Sequence, residues 1–275
     1  MDLKATSYDV SEQIGTIHLN RPHRGNAWTG RMHTEYRYLL DQADRNADVR
    51  VILVTGSGER FCVGGDSQAL DGHSKAGAYD PGTAPDLVMP GESDFDPFQE
   101  DFAYHFALKK PVIAAINGAA AGVGLVLACY ADIRFAVPGA KFTTAHGPLN
   151  LPAEYGLSWL LPRLIGGARA MELLISSRKF LTDEAYAMGL VHRLVTPDDL
   201  IAETRAYARD LIVRVSPEAA YQSKRQTYLD FHRDIGASVR DANDLLNRMV
   251  KQADYQEAIA AFLEKRPADW KKSDA

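Results

Sequence analysis

The sequence predicts an α/β layered domain followed by a helical C-terminal region. Three observations carry this: short apolar runs with strand character, helix-forming stretches between them, and no strand signal after about residue 200. "IGTIHLNRP" (14–22) alternates and stops at Pro22, as a strand does. "GRMHTEYRYLLDQADRN" (30–46) places Met32, Tyr36, Leu39 and Leu40 at helical spacing. "VRVILVTG" (49–56) and "KPVIAAIN" (110–117) are continuous apolar runs, which predicts strands buried on both faces. "ADIRFAV" (131–137) reads as a further strand, after a helix that begins within "INGAAAGVGLVLACY". Between Asp71 and Phe98 the chain is rich in Gly, Pro and acids, the composition of a solvated insertion, a binding loop or a lid. Beyond residue 200, "PDDLIAETRAYARDLIVRV", "SPEAAYQSKRQTYLDFHRDI" and "DYQEAIAAFLEKRPADW" read as helices. Ser216 before Pro217 is a good N-cap with proline at the first helical position. The expected division is a core over 1–200 and a helical region over 201–275. No internal repeat is visible.

Composition narrows the function. The 275 residues carry a net charge of −5 and 46% hydrophobic residues, with an isoelectric point of about 5.9. A nucleic-acid surface is not expected from that balance, although a local basic pocket is compatible with it. Cys62 and Cys129 have neither metal-site nor disulfide-framework spacing, so no metal is expected and both read as free thiols of a reducing compartment. The N-terminal segment lacks the features of a signal or transit peptide. No uncharged run approaches the roughly 20 residues of a membrane span. The expectation is a cytoplasmic protein without membrane contact.

Two strand ends carry glycine-rich loops, "VTGSGERFCVGGDSQAL" (54–70) and "INGAAAGVG" (116–124). Glycine permits unusual dihedrals and close approach, and a helix start offers unpaired N–H donors. Neither loop fits a nucleotide-phosphate motif: GxxxxGK[ST] is absent, and so is GxGxxG with an acid about 20 residues on. Two such loops on two different strands suit two N–H donors aimed at one oxygen, the arrangement of an oxyanion hole.

Over nearly its whole length the chain resembles the enoyl-CoA hydratase/isomerase (crotonase) superfamily. The matching pieces are "LNRPHRGNAW" (19–28), "FCVGGD" (61–66), "KPVIAAINGAAAGVG" (110–124), "ADIRFA" (131–136), "LPRLIG" (161–166), "AYAMGLVHRLV" (185–195) and "AIAAFLEKR" (258–266), in that order and spacing. The resemblance implies a ββα spiral core, a helical trimerisation region, a homotrimer or hexamer, and an acyl-CoA thioester substrate. Coenzyme A is then part of the substrate, and no separate cofactor is implied. The family's two oxyanion donors fall on the N–H groups of Gly65 and Val123. The segment Val63, Gly65 and Ser67 falls where the family lines the adenine side of CoA, and Arg24 falls where it approaches a CoA phosphate. On this reading the backbone at Gly122, Val123 and Gly124 is bare so that a thioester oxygen can sit against it. Asp66 reads as a helix cap.

The departures are informative. The family's hydratases place one glutamate three residues after the second donor and another in the loop after "KF". Those positions hold Val126 and His146 here. Glu154, in "LPAEYGLSWLLPRL", falls where isomerase-like branches carry an acid. One carboxylate can take a proton from one carbon and return it to another, with burial among Leu157, Trp159 and the acyl chain raising its pKa. His146 reads as a second acid–base group or a polar wall. Tyr155 and Trp159 are expected to shape the acyl pocket, and His73 and His105 to lie on lid and helix surface. The leading expectation is isomerase-like proton shuttling over an enolate. The alternatives are a carbon–carbon hydrolase of a cyclic β-diketone using Trp28, His33, His146 and Glu154, and a catalytically silent acyl-CoA-binding homologue.

Overall fold

The computed structural model describes residues 1–79, 82, 84, 86–91 and 93–270. In chain order the elements are β1 (Thr6–Ser11), β2 (Ile14–Leu19), α1 (Gly30–Arg45), β3 (Val51–Gly56), α2 (Ser67–Ala76), β4 (Val112–Ile116), β5 (Ala120–Ala121), α3 (Val123–Tyr130), β6 (Ile133–Ala136), β7 (Lys141–Thr143), α4 (Leu157–Ile165), α5 (Gly167–Ser176), β8 (Phe180–Leu181), α6 (Thr182–Ala187) and β9 (Arg193–Leu194). Helices α7 (Leu200–Arg214), α8 (Pro217–Asp230), α9 (Ile235–Met249) and α10 (Ala253–Glu264) complete the chain. Among the described residues no helix is long and apolar enough to cross a membrane.

The main sheet has the order β1-β2-β3-β4-β6-β9. Only the β1–β2 pair is antiparallel. Its central strands are buried on both faces, which is why they read as unbroken apolar runs. Ile52 and Val54 of β3 and Val112, Ala114 and Ile116 of β4 join one core with α1, α3 and α4. Val51, Leu53, Ile113 and Ala115 point the other way, into a smaller core closed by Leu200 and Ala208 of α7, with Leu211 and Ile212 packed on it. That spacing is one stripe of a helix. Helix α7 thus joins the two regions, and a division near residue 200 remains our proposal for the domain organisation.

A second layer is built from very short pieces. Sheet β5-β7-β8 continues through isolated bridges, Cys62 to Ala120 and Trp28 to Gly65. Each turn of chain therefore contributes a long strand, a short extended piece and a helix: β2, Trp28, α1; then β3, Cys62 to Gly65, α2; then β4, β5, α3. This is the ββα spiral of the crotonase fold. The two glycine loops lie side by side within it. Cys62 N–H donates to Ala119 O at 3.1 Å, and Ala121 N–H donates to Cys62 O at 3.0 Å.

Sequence reasoning gave no reading of β1, of the short strands β5, β7, β8 and β9 or of α4–α6, and did not separate α9 within the helical region. β1 is an edge strand whose last three residues are exposed, so it carries little apolar signal. The 71–98 stretch is more ordered than its composition suggests. Helix α2 extends to Ala76, a 3-10 turn spans Asp96–Gln99 with Phe98 buried, and Arg37 of α1 donates to the carbonyls of Leu87 (2.6 Å) and Val88 (3.1 Å). The part of that stretch at positions 80, 81, 83, 85 and 92 lies outside the described residues.

Candidate active site

A cavity of about 430 Å³ opens where the two glycine loops meet. Its walls include Trp28, Gly65, Leu70, Val123, His146, Glu154 and Tyr155. Gly65 and Val123 thus share one cavity. Val123 is the first residue of α3, where a helical N–H has no intrahelical acceptor. Among the described residues, neither the Gly65 nor the Val123 N–H donates to a protein acceptor. Two unused donors at one cavity are what an oxyanion requires.

The glycines around them serve a purpose that differs from the expectation of a backbone bared for ligand. A side chain at Gly124 would begin 2.1 Å from the Cys62 carbonyl oxygen, so this glycine lets α3 press against the first loop. Gly122 has φ +50°, the left-handed backbone that turns the chain from β5 into α3. Gly65, by contrast, has room for a methyl group, with the nearest atoms those of Leu70 at 3.5–3.8 Å.

Asp66 fixes the first donor from the next position. It caps α2 by accepting from Gln68 N–H at 3.0 Å, as the sequence predicted. It also pairs with Arg21 at 3.0 Å and Arg24 at 3.3 Å. Burial alone would raise its pKa. The Gln68 N–H and the two guanidinium groups outweigh that and hold it below the ordinary value. Arg24 also donates to Ser67 Oγ at 3.1 Å. Arg24, Val63, Gly65 and Ser67 line an adjoining cavity of about 630 Å³, together with His23 and Arg60. This cavity shares Val63 and Gly65 with the first.

Glu154 is half-buried and is the one carboxylate among the described residues lining the 430 Å³ cavity. Burial raises its pKa, and the nearby His146 acts in the opposite direction. His146 is itself buried, and among the described residues its Nδ1 has no hydrogen-bond partner. Both residues adjoin a non-glycine residue with left-handed backbone, Ala145 (φ +58°) and Tyr155 (φ +50°). Such conformations cost on the order of 1 kcal/mol or more each, and they recur at functional sites. Tyr130 Oη holds this turn by donating to Tyr155 O at 2.8 Å.

Several expectations need correction. Trp159 does not line this cavity. It faces a separate one, and the surroundings of Glu154 are Tyr79, Tyr155 and His146 rather than Trp159. His105 is not on a helix surface. It is fully buried, bonded to Tyr36 Oη (2.8 Å) and Phe102 O (2.6 Å), and burial pushes its pKa down to about 3. His33 is also buried, 5.9 Å from the Trp28 ring, and is not a wall of the cavity. His73 does line it and packs on Tyr79. Val126 is buried in α3. Tyr79 is a wall that sequence reasoning missed, because it lies in the Gly- and Pro-rich stretch where no periodicity marks a facing residue.

Comparison with known proteins agrees with this architecture. Residues 9–273 match the family model for enoyl-CoA hydratase/isomerase. The chain is 35% identical over 263 residues to 1,2-epoxyphenylacetyl-CoA isomerase of Escherichia coli, covering 94% of each chain. It is 32% identical to a probable enoyl-CoA hydratase of Rhodobacter capsulatus, covering 97% of this chain and 98% of the relative. The crystal structure of an enoyl-CoA hydratase subunit from Geobacillus kaustophilus superposes with a TM-score of 0.84 at 27% identity, covering 99% and 100% of the two chains. With the family model spanning nearly the whole chain and the spiral fold shared, this protein is an enzyme of the enoyl-CoA hydratase/isomerase family.

Proposed function

We propose that the protein is an acyl-CoA isomerase working through an oxyanion-stabilised enolate. The observation that carries this reading is that, among the described residues, Glu154 is the one carboxylate in a cavity with two unused N–H donors. A proton beside a thioester carbonyl is too weakly acidic for an unaided carboxylate. The donors of Gly65 and Val123 would bind the enolate oxygen, each worth about 3–4 kcal/mol in comparable holes. Glu154 removes the proton from one carbon and returns it to another. The two-glutamate hydration of a double bond has no counterpart here, because Val126 and His146 occupy the two positions. The relative named as an isomerase supports the same branch. We assign the adjoining cavity with Arg24, His23 and Arg60 to the nucleotide end of CoA, which arrives as part of the substrate.

We assign assembly as a trimer or hexamer to the apolar surface of the helices. Ile175, Ile235, Phe262 and Leu263 are 73–80% exposed in the single chain, and large apolar side chains left this open on α5, α9 and α10 support an interface that covers them. Light scattering at micromolar concentration is expected to give a trimer or hexamer; a clean monomer contradicts this assignment. We place the protein in the cytoplasm.

The test of the reaction is a panel of 2- and 3-enoyl-CoAs and 1,2-epoxyphenylacetyl-CoA, assayed for isomerisation, with crotonyl-CoA hydration alongside. Isomerisation of at least one member, lost by a factor of about 10²–10⁴ in Glu154→Gln, is expected, with weak or absent hydration. Efficient crotonyl-CoA hydration without isomerisation overturns the reading. Turnover that survives Glu154→Gln and vanishes in His146→Ala transfers the base role to His146.

A further inference from the structure

We propose that Tyr155 is a partition that sets acyl-chain length, and that the apolar cavity beyond it receives the distal end of longer acyl chains. This rests on the acyl-CoA reading above. Tyr155 is the one described residue shared by the 430 Å³ cavity and a second cavity of about 440 Å³. The second cavity is walled by Phe98, Ala103, Phe106, Tyr130 and Trp159. Those walls suit hydrocarbon. Glu100 and Asp101 also border it, which disfavours a chain end bearing a carboxylate, because like charges repel where water is scarce.

The partition is anchored at its backbone and lightly held at its ring. The left-handed Tyr155 is followed by Gly156 at φ +70°, and its carbonyl accepts from Tyr130 Oη. The ring packs edge-on to Phe102, with centroids 4.8 Å apart. Its hydroxyl meets the hydroxyl of Tyr79, which is 53% exposed. Removing the ring is therefore expected to open one cavity to the other while leaving the backbone support in place. On this reading Tyr155 stands between the second cavity and an acyl chain whose thioester lies beside Gly65 and Val123.

The test uses saturated acyl-CoAs of four, six, eight and ten carbons, with coenzyme A alone as reference, titrated by calorimetry into the intact protein. Each methylene that enters the second cavity is expected to tighten binding about fourfold, or ~0.8 kcal/mol. In Tyr155→Ala the eight- and ten-carbon ligands are expected to gain that increment over the wild type. Ala103→Trp fills the far wall and is expected to leave four-carbon binding unchanged while abolishing the gain in the double variant; Ala103→Phe replaces it if four-carbon binding is lost. A length dependence identical in wild type and Tyr155→Ala, with four-carbon binding intact, overturns the inference alone. A gain that neither Ala103 variant removes also overturns it. Failure of the wild type to bind coenzyme A or any acyl-CoA overturns the acyl-CoA reading, and the inference with it.

Discussion

Replacing Gly124 with alanine separates two physical arguments by the sign of one number. Gly124 lies inside α3, where alanine is the better helix former by about 1 kcal/mol. Local propensity alone therefore predicts a more stable protein. The packing predicts the opposite. The added methyl would stand 2.1 Å from Cys62 O and 2.8 Å from Cys62 C and Cβ. Relief requires the two loops to part by about 1 Å or more, a displacement of the size that costs roughly 10²-fold in rate when it reaches a reacting centre. Overpacking costs about 1–3 kcal/mol. Weakening the two bonds between Cys62 and residues 119 and 121 adds about 1 kcal/mol each. The expected loss is about 2–4 kcal/mol, after the helix-propensity gain is set against these terms. Urea denaturation followed by circular dichroism measures it. Gly65→Ala is the control, because its methyl meets Leu70 at ordinary contact distance, and its stability is expected within about 1 kcal/mol of wild type. A Gly124→Ala protein as stable as wild type, with unchanged turnover, would refute the claim that this glycine sets the spacing of the donors.

Three further outcomes follow from charge. Glu154 must be ionised to act as a base, and burial raises its pKa. The acid limb of kcat/KM is therefore expected above the ordinary glutamate value of about 4.3, with activity lost as pH falls through it. His146 lowers that pKa, so His146→Ala is expected to move the limb to higher pH in the same rate measurement; a shift to lower pH contradicts the geometry. Asp66→Asn, in turn, breaks the pairs with Arg21 and Arg24 and is expected to cost about 1–3 kcal/mol in urea denaturation at pH 7, because both guanidinium partners keep access to water. Because the Asp66 pKa is held below its unfolded value of about 3.9, its stabilisation is complete above that value and lost as pH falls through the folded one. The difference between variant and wild type is then expected to vanish in acid. A difference independent of pH would mean that the carboxylate charge is not what stabilises.

The long strands of the main sheet were legible because burial on both faces leaves continuous apolar runs such as Val51–Val54 and Val112–Ile116. The caps were legible for an equally local reason: Ser216 accepts from Ala219 N–H at 3.1 Å, and Asp66 from Gln68. The ββα repeat was legible only through the family resemblance and not from the local pattern, because its short members are two-residue strands and single bridges such as Trp28 with Gly65, too brief to leave a period. The glycine loops announced close approach but not what approaches: at Gly124 the neighbour is the Cys62 carbonyl. Trp159 shows the limit of reading along a helix from a motif. It lies five residues after Glu154, yet it faces a different cavity, with Tyr155 between the two. His105 was misplaced because "AYHFAL" carries no periodicity, and its burial depends on the distant hydroxyl of Tyr36.

The central claim is that the Gly65 and Val123 donors and Glu154 together generate an enolate from an acyl-CoA thioester. Deuterium incorporation tests it without knowledge of the natural substrate. Butyryl-CoA and longer saturated acyl-CoAs that bind the protein are incubated with it in D₂O, and exchange at the carbon beside the thioester carbonyl is followed by mass spectrometry. Exchange catalysed by the wild type, and reduced by about 10²–10⁴ in Glu154→Gln with binding retained, is the expected result. No exchange in any acyl-CoA that the wild type binds, or exchange at the wild-type rate in Glu154→Gln, would contradict it.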